Sequence, residues 1–176
     1  MFQPKQYHSL MIYHANNLER EQGIVHGFSS RIGGYSGAPY QGLNLGLTSG
    51  DRITDVQKNR IAFAGALGIK PEQVVGGMQV HGTNIARVTR ADGGKGFLSA
   101  NTALPDTDGL VTNERGIALM TLYADCVPVL FYDPYVQVIA VCHCGWRGTV
   151  NRMAAKTAGV MISEYGCSAE HILAAI

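Results

Sequence analysis

At 176 residues the chain is long enough to bury a real core, and we read it as one domain. Lys and Arg number 14 against 13 Asp and Glu, so no global field recruits nucleic acid or an acidic membrane surface. There is no basic start with an apolar h-region, no apolar run near the roughly 20 residues of a membrane span, and only four clustered cysteines; a reduced, cytoplasmic protein without a disulfide scaffold is expected.

In chain order, Ile24–Phe28 reads as a short strand, followed by a glycine-rich loop, Ser29-Ser30-Arg31-Ile32-Gly33-Gly34-Tyr35-Ser36-Gly37. The stretch QGLNLGL, residues 41–47, continues that loop. Such loops either turn the chain or let backbone approach a ligand. Thr54 or Asp55 can cap a helix with Val56, Phe63, Ala64 and Leu67 on its apolar face, and Gly68 stops it. Val74–Val80 and Ile85–Thr89 read as strands around Gln79-Val80-His81-Gly82. On its own His81 has two readings, a hydrogen-bonded structural histidine or a ligand. Asp106-Thr107-Asp108-Gly109 is a turn before a Leu110–Thr112 strand, its carboxylates shaping the turn.

Two β-rich apolar runs follow, Val127–Tyr132 and Val136–Val141, joined across Asp133-Pro134. A two-residue loop of Pro134 and Tyr135 would set Cys126 directly opposite His143. A four-residue loop would move the pair to a diagonal of about 7–8 Å, still on one face, and only an odd loop would separate them. Val150, Met153, Ala154, Thr157, Ala158, Met161 and Tyr165 form a helical stripe ending at Gly166, ordinary core packing. The last residues, His171–Ile176, read as a strand just beginning, so a fold lacking its C-terminal part is expected.

FSSRIGGYSGAPYQGLNLGL, QVHGTNI, TDGLVT, YADCVPVLFYDP and HCGWRGT, in this order, resemble the YfiH family of laccase-like multicopper polyphenol oxidases. Members of that family are regarded as purine nucleoside phosphorylases and also carry the label peptidoglycan editing factor. The resemblance implies a layered α/β/β/α sandwich and metal ligands at His81, Cys126 and His143. Two departures stand out: Cys142 and Cys144 occupy positions where the family has small residues such as Ala, and the family continues past Ile176.

The residues themselves fix the class of fold and constrain the chemistry. The pattern is α/β (or α+β), a mixed sheet core with helices outside. Two imidazoles and a thiolate with an open fourth position are a catalytic-zinc donor set, and copper accepts the same donors. Cys142 and Cys144 cannot join His143 on one metal, because neighbours on a strand point to opposite faces; they read as small buried hydrophobes. Six histidines without an H-x-H pair cannot build a four-copper oxidase, which excludes true laccase activity.

A metal-dependent phosphorylase acting on adenosine, inosine or methylthioadenosine with phosphate fits better, with adenosine deamination as a side activity. Arg147, in a glycine loop leading into a helix, either contacts phosphate or pairs with a carboxylate such as Asp125. Arg31 is a second phosphate candidate, and Asn44 a contact to ribose or base. Asp125 is either a general acid/base or the group that orients a ligand histidine. Competing readings are a metal-free hydrolase with Cys126 as nucleophile, and a non-catalytic binding module. The expected partners are a purine nucleoside and phosphate, with neither nucleic acid nor membrane, and a homodimer is allowed.

Overall fold

The computed structural model describes residues Met1–Ile176, which form two compact units, Met1–Pro71 and Glu72–Ile176. The first unit opens with the antiparallel hairpin β1 (Phe2–Tyr7) and β2 (Leu10–Ala15), continues through a short α1 (Asn16–Glu19), and adds β3 (Phe28–Ser29) on the far side of β2. The expected strand at Ile24–Phe28 thus starts only at Phe28. Helix α2 (Ile53–Ala66) begins before the expected caps: Arg52 is the N-cap, and its own N–H goes to Asp51 Oδ1 at 2.7 Å. The end is as expected from Gly68, whose φ of +71° lets the chain reverse while Ile69 N–H bonds to Ala64 C=O.

The buried face of α2 carries a polar residue that hydrophobic spacing could not reveal. Asn59 is fully buried, donates to Ser36 Oγ and the Asn44 carbonyl, and accepts from Tyr35 N–H at 2.7 Å. It holds the glycine-rich loop as a preformed scaffold rather than leaving it a floppy connection.

The second unit is built on a mixed five-stranded sheet. Its members are β5 (Ile85–Arg87), β6 (Gly109–Thr112), β8 (Val127–Asp133), β9 (Val138–Cys144) and β10 (Leu173–Ala175), in the order β10-β8-β9-β6-β5. The β5–β6 pair is parallel and the others are antiparallel. A separate parallel pair joins β4 (Val74–Gly76) to β7 (Ala118–Met120). The strands at 74–80 and 85–89 are therefore both shorter than their apolar runs.

Each face of the five-stranded sheet has its own core. On one, Val129, Phe131, Ala140, Cys142 and Cys144 pack with Met153 and Met161 of α4 (Met153–Tyr165). On the other, Leu110 and Val141 pack with Val75 and with Leu119 of β7. Val150 leaves the expected stripe: it lies in a separate short helix, α3 (Trp146–Val150), is 73% exposed, and is cut off from α4 by Arg152 at φ +61°. No helix is long and apolar enough to cross a membrane.

The β8–β9 connection corrects the two-residue loop. Asp133 pairs with Val138, so residues 134–137 form a four-residue turn. Asp133 Oδ1 accepts from Tyr135 N–H at 2.9 Å and from Val136 N–H, closing the turn from inside. Pro128 then lies opposite His143, and continuing the register one step past β8 sets Cys126 against Gly145. Cys126 and His143 are diagonal neighbours on one face.

Candidate metal centre

His143 sits near the end of β9 on the face opposite Cys142 and Cys144, because side chains alternate along a strand. Its N–H extends the ladder to the Asp108 carbonyl at 2.8 Å, and its ring Nδ1 lies 2.8 Å from Asp108 Oδ1. A carboxylate can only accept, so Nδ1 carries the proton and Nε2 keeps its lone pair for a ligand.

The same carboxylate fixes the second histidine. Asp108 accepts N–H bonds from Val80 (3.0 Å), His81 (3.0 Å) and Gly82 (2.9 Å). His81 occupies the left-handed region at φ +61°, costly for a residue with a Cβ, and these three bonds pin it there. Burial by itself would raise the Asp108 pKa. The hydrogen bonds from His143, Gly82 and Val80 outweigh it, so the carboxyl titrates below its ordinary range.

The third member, Cys126, ends the loop before β8. Gln79 ties that loop to the His81 segment through a paired amide contact, donating to Leu122 C=O at 2.8 Å and accepting from Leu122 N–H at 2.7 Å. Tyr123, in the same loop, tilts its ring against His143 with centroids 5.6 Å apart and donates its hydroxyl to the Cys142 carbonyl. Gly145 lets β9 end against all three residues. A Cβ there would stand 3.0 Å from Cys126 Sγ, 3.0 Å from His81 Cδ2 and 3.8 Å from His143 Cε1.

The ligand atoms of His81, Cys126 and His143 consequently lie within 4.8 Å of one another. A tetrahedral zinc with Zn–N about 2.0 Å and Zn–S about 2.3 Å needs separations of roughly 3.3–3.6 Å, so a small contraction would close the site. The donor set fits zinc or copper. His143 is buried, Cys126 half-buried and His81 exposed, which leaves the remaining side accessible. Cys142 and Cys144 belong to the opposite face. Their sulfurs are 3.5 Å apart, and burial, with the neighbouring Cys144 adding, pushes the Cys142 thiol up to about 12. Both are buried and pack in the sheet–helix core.

Of the other sequence candidates, Asp125 and Arg147 are exposed, and no ion pair joins them. Arg147 instead lies over the Trp146 ring at 5.3 Å. The carboxylate that holds a ligand histidine is Asp108, a residue whose Asp-Thr-Asp-Gly context points locally only to a turn. Arg31 and Asn44 belong to the first unit. There Arg31 donates to the Gln41 carbonyl at 2.9 Å, and Asn44 donates to Ser49 and to Asp51.

Residues 25–176 match the family model described as multi-copper polyphenol oxidoreductase laccase. Over 162 residues the chain is 35% identical to a Bacillus subtilis protein named purine nucleoside phosphorylase YlmD, covering 92% of this chain and 58% of that protein. It is 36% identical over 154 residues to human purine nucleoside phosphorylase LACC1, covering 85% of this chain and 33% of the human one. The crystal structure of YlmD from Geobacillus stearothermophilus superposes with a TM-score of 0.90 at 35% identity, over 98% of this chain and 63% of that one. That of a Bacillus licheniformis hypothetical protein YfiH gives 0.91 at 33% identity, over 98% and 62%. The chain thus spans less than two thirds of the length of each of these proteins.

Proposed function

The chain belongs to the multi-copper polyphenol oxidoreductase laccase family, and from that premise we propose that it is a metal-dependent purine nucleoside phosphorylase rather than an oxidase. The observation that carries the reading is the convergence of His81, Cys126 and His143, with both histidines held by the buried Asp108, in a chain whose relatives are named purine nucleoside phosphorylases. The substrates we propose are adenosine, inosine and methylthioadenosine with phosphate, giving the base and a ribose 1-phosphate. Deamination of adenosine is a proposed side activity.

His81, Cys126 and His143 would hold the metal, zinc or copper, with Cys126 as thiolate. When bound, it supplies Lewis acidity at an open fourth position. Asp108 keeps His143 in the Nδ1–H tautomer, with Nε2 free for a ligand, and holds the His81 loop in its left-handed turn. Asp125, exposed and adjacent in sequence to Cys126, is the proposed group that exchanges a proton with the nucleoside. Arg147 is the proposed cation for phosphate. Because α3 has only five residues, its dipole contributes little, and side-chain charge must hold the anion. Arg31 and Asn44 are proposed contacts to phosphate and to ribose or base.

A cysteine hydrolase with Cys126 as nucleophile is the second reading, since a thiol and an imidazole do meet here. Product analysis separates the two. With adenosine, the phosphorylase yields adenine and ribose 1-phosphate in equal amounts and only when phosphate is supplied, and Cys126→Ser abolishes both. Arg147→Ala lowers ribose 1-phosphate formation more than inosine formation. Base release at the same rate without phosphate would discard the phosphorylase reading.

A further inference from the structure

Among the cations of the second unit, Arg115 donates to the Gln137 side-chain carbonyl, and the remaining six fall into two groups. Arg87, Arg90 and Lys95 each sit on a carboxylate, respectively Glu164, Glu114 and Asp92. Arg147, Arg152 and Lys156 have none within ion-pair distance, although they lie within ten residues of one another around the α3–α4 junction. Positive charge left without a counterion on one short segment marks a place for an anion.

This segment is fastened to the loop that carries His81. Lys156 reaches from α4 to Thr83 Oγ1 at 3.0 Å, two residues beyond His81. A Cβ on Gly148 of α3 would stand 3.6 Å from the Gly82 carbonyl, so α3 lies directly on the same loop. Lys156 N–H bonds to the Arg152 carbonyl at 2.9 Å, so Lys156 lies in the first turn of α4, directly after the junction residue. Arg152 is held in a left-handed conformation, φ +61°, a strained position that fixes where the junction turns. The Asp108 bonds to Val80, His81 and Gly82 make the loop rigid, so the ammonium has a fixed base.

We propose that Lys156, seated on Thr83 and flanked by Arg152 and Arg147, binds the phosphate dianion that the reaction consumes, beside the His81–Cys126–His143 centre. Thr83 supplies a hydroxyl donor once its oxygen is satisfied by Lys156, and the two arginines offer planar, forked donors to the remaining phosphate oxygens. The proposal rests on the phosphorylase reading for its choice of anion, but binding can be measured without turnover.

The test is calorimetric titration of the metal-loaded protein with inorganic phosphate, no nucleoside present, alongside the phosphate KM at saturating adenosine. Lys156→Ala is expected to weaken phosphate binding and raise that KM by about tenfold or more, with adenosine KM and metal content unchanged. Lys156→Arg should restore most of the affinity. Arg87→Ala, which removes another exposed cation, one already paired with Glu164, should change neither value. If the wild-type protein binds phosphate through Lys156 yet forms no ribose 1-phosphate, the anion site stands and the phosphorylase reading falls. Wild-type affinity in Lys156→Ala, or no phosphate binding in the wild-type protein, overturns the proposal.

Discussion

Replacing Asp108 with Asn would preserve the side chain's shape while putting an N–H₂ where a carboxylate oxygen now accepts two N–H donors. Either the pair from His81 and His143 or the pair from Val80 and Gly82 then faces a donor. The backbone bond from His143 N–H to the Asp108 carbonyl survives, so the strand pairing holds while the ligands loosen. Asp108→Asn should therefore lower zinc affinity about 10- to 100-fold, read by competition with a chelator, without loss of the folded state. Unchanged affinity would remove Asp108 from its positioning role. The partners of its carboxylate lie between 26 and 35 positions away along the chain. A local reading of Asp-Thr-Asp-Gly could see only a turn, although TDG was among the motifs that carried the family resemblance.

Elements were legible wherever periodicity and burial agree. The β8–β9 hairpin and the apolar side of α4 follow from alternation and from 3.6-residue spacing, and the end of each longer helix follows from Gly68 and Gly166, both at positive φ. What failed was set by tertiary partners. The hairpin turn has four residues because Asp133, buried, closes it from below. Val150 fits the stripe by spacing but is separated from it by the left-handed Arg152. The break makes a quantitative distinction. Met161→Ala removes a fully buried side chain from the sheet–helix core and should cost about 2–5 kcal/mol. Val150→Ala should stay within about 0.5 kcal/mol, because the side chain is 73% exposed. Denaturant titration of both variants checks this, and equal losses would mean a continuous helix through residue 150.

At the scale of the molecule, sequence reading reached an α/β protein with a mixed sheet, and the solved relatives superpose on 98% of the chain. It did not see the opening hairpin. The β1 segment FQPKQY has four exposed central residues and hence no alternating apolar signal; only its pairing with β2 makes it a strand. The separate β4–β7 pair was equally hidden, since its two strands are three residues each and far apart in sequence.

The candidate centre draws on three such distant segments, and its central claim is that one metal bound by His81, Cys126 and His143 is required for phosphate-dependent turnover. The most direct measurement combines elemental analysis with alkylation of Cys126 and ribose 1-phosphate release, before chelation, after it, and after metal is restored. We predict one metal per chain, a Cys126 thiol that reacts only in the chelated protein, and activity that disappears with the metal and returns with it. Rapid alkylation of Cys126 in protein as isolated, or full phosphate-dependent turnover by metal-free protein, would contradict the account.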